Sequence, residues 1–193
     1  MNYPNNIKMN LEKAKTFANR GMSLEEDLNI TNLYYRNEEL AFIYKKPTPI
    51  KVVKMQYLLK KSIIKEGYFE MPSTTDYNGL YNGKYIDFDA KETNSKTSFP
   101  LSNIHIHQIN HLKNICKHKG IGFIIVRFNL LNMTYLLLGE QLFSFIDNYK
   151  RASIPLAYFK EYGYLIPYNY LKRCDYLKVI KDLEGIKYEK ENK

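Results

Sequence analysis

The sequence predicts an α/β fold, and three observations carry that expectation. Strongly β-prone apolar runs at residues 122–128 (GFIIVRF) and Met133–Leu138 (MTYLLL) alternate with stretches whose apolar residues recur at the helical period. The chain has 193 residues, which fits one domain of about 100 to 200 residues and suffices to bury a core. The third observation is a strand-like run in which Asp87, Asp89 and Lys91 occupy every second position, with Ile86, Phe88 and Ala90 between them. Successive strand side chains point to opposite faces, so the run carries a charged stripe backed by an apolar one. Asp89 and Lys91 stand roughly 6.6 Å apart along such a strand, and Asp76 lies on a turn upstream: a candidate metal site with a cation beside it.

Lys and Arg number 29 against 20 Asp and Glu, a formal charge of +9 spread along the chain. A polyanionic partner, nucleic acid above all, fits that balance. No segment has the roughly 18 consecutive apolar residues of a membrane span. Cys116 and Cys174 have no metal-ligand spacing and make no disulfide framework, which suits a reducing cytoplasm. The N-terminus, MNYPNNIKMNLEK, has no apolar core of a secretory signal.

In chain order, residues 1–18 read as a mobile basic arm. Ser23 and Glu26 form a capping-box pattern opening a helix to about Asn37, with Met22, Leu24, Leu28, Leu33 and Tyr34 as its stripe; Glu25, Glu26 and Asp27 read as a solvated first turn. Residues 40–45 form a short strand ended by Pro47 and Pro49. The lysine-rich runs 50–57 and 63–68 suggest a hairpin, either a lysine-protected edge or a projecting arm that touches phosphates. After the charged strand, Pro100 is placed to open a helix that runs to Lys119, with Gly120 as its stop. Gln108 falls on that helix's apolar stripe, either as a core amide satisfied by backbone or as a group reaching the acidic strand. His107 and His111 share a face, without the further ligands that a zinc site needs. Helices at 141–149, Leu156–Tyr162 and 175–184 complete the set, and the interleaved tyrosines and cations of 148–167 read as core closure rather than base stacking. Gly-rich phosphate loops are absent.

An acid pair with a nearby lysine suits phosphodiester hydrolysis. Mg²⁺ takes hard oxygen ligands from one or two carboxylates, activates water and stabilises developing charge. Asp76 and Asp89 can supply that grip, and Lys91 can orient or deprotonate the water or neutralise the transition state. A structural ion pair of Asp89 with Lys91 is the alternative.

The longer text carries more. Asn19-Arg20-Gly21-Met22 with Leu24-Glu25 and Asp27-Leu28-Asn29, Lys45-Lys46-Pro47-Thr48-Pro49, Thr74-Thr75-Asp76-Tyr77-Asn78-Gly79, and Tyr85-Ile86-Asp87-Phe88 leading to Ala90-Lys91-Glu92-Thr93 together resemble the RecU-type Holliday junction resolvases of the PD-(D/E)xK nuclease superfamily. Ser98-Phe99-Pro100-Leu101, His107-Gln108 and Gly122-Phe123 extend the likeness, which covers roughly residues 19–183. The resemblance implies a restriction-endonuclease-like mixed central sheet flanked by helices, with a projecting β-hairpin stalk at about 49–72 in a single nuclease domain over 19–186, before a disordered tail at 187–193. It implies a homodimer in the cytoplasm, bound to the nucleoid, that cuts four-way junctions by paired symmetric nicks in recombination, repair and chromosome segregation. Mg²⁺ is the implied cofactor, with Mn²⁺ as a substitute, and the RecA recombinase a possible partner. Transferred by position, Thr74, Asp76, Asp89 and Gln108 are metal ligands, Asp76, Asp89 and Lys91 are catalytic, and Lys91 stabilises the transition state. Arg20, Lys45, Lys46, Lys51, Lys54, Lys60 and Lys61 are candidate DNA contacts. Asp89 departs from the family's usual glutamate, and Asp87 receives no transferred role; a supporting hydrogen-bonding residue is expected there. A non-catalytic branched-DNA binder of the same fold is the alternative function, and another nuclease of the superfamily a third.

Overall fold

The computed structural model describes residues 23–58, 61–70 and 74–191; the arm expected at 1–18, Arg20 and Lys60 lie outside them. Helix α1 (Leu24–Asn37) opens with the expected capping box: the Ser23 hydroxyl accepts from the Glu26 amide at 3.3 Å and the Glu26 carboxylate from the Ser23 amide at 3.1 Å. Its buried face is Leu24, Leu28, Thr31 and Tyr35, while Leu33 and Tyr34 are only half-buried. The buried stripe is therefore rotated away from the expected one over the second half of the helix. Strand β1 (Phe42–Lys45) follows, and then β2 (Ile50–Leu58) and β3 (Lys61–Phe69) pair with each other alone. Every β3 side chain is exposed, as is every β2 side chain except Gln56. The hairpin thus stands off the body and is not an edge of the main sheet.

Strands β4 (Tyr77–Tyr81) and β5 (Lys84–Thr93) form a tight hairpin, in which Asn82 and Gly83 hold φ of 48° and 74°, as a two-residue turn that matches strand twist requires. Gly79 lets β1 close on β4, because a Cβ there would lie 2.2 Å from the Phe42 carbonyl. A three-residue strand β6 (Ser98–Pro100) leads through a 3₁₀ turn to α2 (Ile106–Lys117). The helix expected from Pro100 therefore starts six residues later. Pro100 instead ends β6, which pairs with β9 (Ser153–Pro155); a proline is tolerated at such a short edge ladder.

Strands β7 (Ile121–Phe128) and β8 (Met133–Leu138), helices α3 (Gly139–Asn148) and α4 (Leu156–Tyr162), strand β10 (Tyr164–Leu165) and helix α5 (Tyr176–Glu191) complete the chain. Helix α5 runs past the end expected at Glu184. The main sheet has the order β1-β4-β5-β7-β8-β10, parallel only between β5 and β7. It is the mixed sheet flanked by helices that the resemblance implies. On one face, Leu24, Leu28 and Tyr35 of α1 and Tyr176, Leu177 and Ile180 of α5 cover Ile86, Phe88 and Phe123. On the other, α2, α3 and α4 cover Ile124, Val126 and Leu137. The tyrosines of the 148–167 segment close this second layer: Tyr149 stacks on Phe145 at 5.0 Å and Tyr158 packs edge-on to it at 4.7 Å.

Candidate functional site

Register fixes the site. Tyr77, Phe88 and Phe123 are cross-strand partners on β4, β5 and β7, and their rings stack at 4.9 and 4.7 Å with interplanar angles of 5° and 10°. That stack sends Asp87 and Asp89 to the opposite face, and both are fully buried there. These two acids are not solvent-facing, because α2 lies across them. Gln108, in the first turn of α2, uses both ends of its amide: its carbonyl accepts from the His105 amide at 3.1 Å, and its NH₂ donates to Asp89 Oδ1 at 3.1 Å. Both expectations for this residue are met by one side chain.

Asp89 Oδ2 is buried without a hydrogen bond, though the Lys91 ammonium stands 2.8 Å away as an ion pair. The distance marks charge pairing; the missing bond marks poor alignment. Burial, then the neighbouring Asp76 carboxylate, push Asp89 up to about 8 against the downward pull of Lys91. Asp76 is half-buried and anchored through Oδ2 by the Ala90 amide at 3.2 Å. Thr74, Asp76 and Lys91 line a cleft of about 500 Å³ together with Lys45, Lys46 and Glu92. Asp89 and Gln108 form no part of its lining; they sit behind Asp76 in the wall.

Two carboxylates crowded against each other, one of them with a buried oxygen that no hydrogen bond satisfies, form a hard-oxygen donor pair. A hard divalent cation takes such a pair, and it needs no cluster of three or more His, Cys, Asp or Glu, of which there is none among the described residues. His107 stacks on His105 at 5.3 Å, and His111 meets Asp87 at 3.1 Å. Neither forms a zinc site. Asp87 is the hydrogen-bonding residue expected, with a larger set of partners than strand spacing reveals: the Thr75 hydroxyl, the Lys46 ammonium at 2.8 Å and the Tyr85 hydroxyl at 3.1 Å, besides His111.

Several residues take roles that the sequence hides. Asp27 is buried, 2.7 Å from Arg127 and 3.4 Å from Arg173, which corrects its place in a solvated first turn. Glu92 accepts the Leu24 amide at 3.0 Å and so caps α1 from β5. Lys46 is turned inward to Asp87, and Lys45 pairs with Glu25 at 2.5 Å, while Lys51, Lys54 and Lys61 are exposed on the hairpin. Both cysteines are free. Among the described residues no helix is long and apolar enough to cross a membrane.

Comparison with known proteins adds independent observations. Residues 19–182 match the family described as recombination protein U. The chain is 51% identical over 172 residues to the Holliday junction resolvase RecU of Geobacillus thermodenitrificans, covering 87% of this chain and 86% of that one. It is 48% identical over 181 residues to the protein of the same name from Bacillus cytotoxicus, covering 92% and 89%. The same name and 48% identity over 172 residues recur in Bacillus cereus strain B4264, with 87% and 86% covered.

Proposed function

The chain belongs to the RecU family, and from that premise we propose that it is a Holliday junction resolvase, an endonuclease that nicks four-way DNA junctions in symmetric pairs during recombination and repair. The observation that carries this reading is a cleft beside the base of a basic hairpin, lined by Asp76 and Lys91, with Asp89 buried against both and held by Gln108. Mg²⁺ is the proposed cofactor, held by Asp76 and Asp89 with Thr74 and Gln108 in support; when bound, it supplies an activated water and a counter-charge for the leaving oxygen. The chain's own part is positional. Asp76 faces the cleft, Gln108 holds Asp89 Oδ1 and leaves Oδ2 to its ion pair with Lys91, and Lys91 presents a cation where charge builds on the phosphate.

Paired nicks need two sites, and one chain carries one, so the active species is a homodimer. Lys51, Lys54 and Lys61 on the hairpin are the proposed phosphate contacts, with Arg20, Lys45 and Lys60. The protein acts on the chromosome in the cytoplasm, and a RecA-type recombinase is the further partner in this reading. Purified protein with Mg²⁺ is expected to cut a synthetic four-way junction at symmetric positions, while Asp76→Ala and Lys91→Ala each lower the rate by at least about 10²-fold and retain junction binding. Full cleavage by both variants would overturn the site, and junction binding with no cleavage by the wild type would replace the resolvase with a binding protein.

A further inference from the structure

We propose that Asp87 is a positioning residue that clamps the segments bearing the metal ligands to β5 and ties them to the base of the hairpin; this rests on the metal-dependent reading above. Its carboxylate is wholly buried, a costly placement unless every lone pair is used. Four polar partners surround it, one on Oδ1 and three on Oδ2, and they come from four segments. The Thr75 hydroxyl bonds Oδ1. The Lys46 ammonium at 2.8 Å, the Tyr85 hydroxyl at 3.1 Å and His111 Nε2 at 3.1 Å all meet Oδ2.

The identity of these partners separates a clamp from an ordinary buried ion pair. Thr75 sits between Thr74 and Asp76, so its bond to Asp87 fixes the loop from which both side chains reach the cleft. Lys46 closes the same loop twice more, donating from its ammonium to Thr75 Oγ1 at 3.0 Å and from its backbone to the Asp76 carbonyl at 2.8 Å. It also immediately precedes Pro47, where the chain leaves the sheet for the hairpin. His111 lies three residues after Gln108 on the same helix, so its contact with Asp87 sets the height of α2 over β5 and with it the reach of Gln108 to Asp89. One carboxylate therefore holds Asp76 and Gln108 in place and links both to the hairpin base. Groups that orient ligands in this way commonly change metal affinity by about 10- to 100-fold when removed.

Asp87→Asn keeps the shape and removes the charge. Mn²⁺ binding to the full chain without DNA, followed by the electron paramagnetic resonance of free Mn²⁺, is expected to weaken by about 10- to 100-fold. The Mg²⁺ concentration for half-maximal junction cleavage rises by the same factor, and the rate at saturating Mg²⁺ recovers to near the wild-type value. A purely structural role would lower the melting temperature and leave both metal constants unchanged, and that result overturns the clamp. Should Asp87→Asn fail to fold, Thr75→Val and His111→Gln each cut one arm of the network; unchanged Mn²⁺ affinity in both overturns it equally. Wild-type protein that binds Mn²⁺ but cuts no junction would defeat the resolvase reading alone, leaving the titrations to decide on Asp87. Absence of wild-type Mn²⁺ binding defeats both.

Discussion

Asp89 is poor for folding, and the proposed function gives it a use in chemistry. It is held behind Asp76 with no exposure, and burial and its acidic neighbour push its carboxyl up to about 8. The native state therefore keeps a proton that the unfolded chain releases near the ordinary carboxylate range. That proton-linked stability is fully present below the unfolded value and is lost as pH rises to about 8. Asn at this position never ionises and avoids the loss. In the absence of divalent metal, Asp89→Asn is expected to match the wild type in melting temperature near pH 4, to exceed it increasingly up to about pH 8 and to level off above that, by about 2–4 °C for each kcal/mol of ionisation cost removed. Thermal melts across that range check this, and a difference that does not grow with pH would contradict it. Added divalent metal should narrow or reverse the gap by stabilising only the wild type. Lys91 alone does not relieve the pair, since its ammonium touches Asp89 Oδ2 at 2.8 Å without hydrogen-bond alignment.

At the scale of elements, the site depends on a ladder that contains none of its residues. The Tyr77, Phe88 and Phe123 stack pins β4, β5 and β7 in register, and a slip of one position would exchange the acids with Ile86 and Phe88. Phe88→Ala removes the middle ring, also 5.0 Å from Tyr176, and is expected to cost about 3–5 kcal/mol in denaturant unfolding; a loss under about 1 kcal/mol would show that the stack does not hold the register. The acids of β5 were legible because strand alternation is local, and Gln108 because a polar residue on an apolar helix stripe stands out. Partners brought from afar were not. Lys46 reads as a candidate DNA contact and His111 as one of a histidine pair until the fold places both on Asp87, and Asp27 meets Arg127 and Arg173, whose approach no first-turn pattern contains. Pro100 misled for the opposite reason: a local helix-start signal was overridden when β6 found β9. Asn82-Gly83 was a usable turn signal, and its positive φ values explain why β4 folds back sharply onto β5.

At the scale of the whole molecule, the excess of +9 and the hairpin combine into one physical device. A two-stranded hairpin with both faces in water is marginal by itself, and this one bears exposed Ile50, Val53, Ile63 and Phe69 among its lysines. Its two ends are closed by the Glu70 amide, which donates to the Pro49 carbonyl at 2.9 Å, and Lys46, just before it, joins the Asp87 network of the body. In the proposed function, a basic arm rooted beside the acidic cleft separates two tasks: lysines on the arm engage phosphates, while Asp89, which would repel DNA, stays buried behind Asp76. Binding strength and catalytic competence should therefore respond to different changes. Replacing Lys51, Lys54 and Lys61 by Ala is expected to weaken junction binding and to flatten the dependence of log Kd on log salt by about 0.9 for each phosphate that is no longer neutralised, with Mn²⁺ affinity unaltered. Binding isotherms between about 50 and 200 mM salt measure the slope. A slope equal to that of the wild type would remove these three lysines from the set that engages phosphates and shift the electrostatic footprint to the body of the protein.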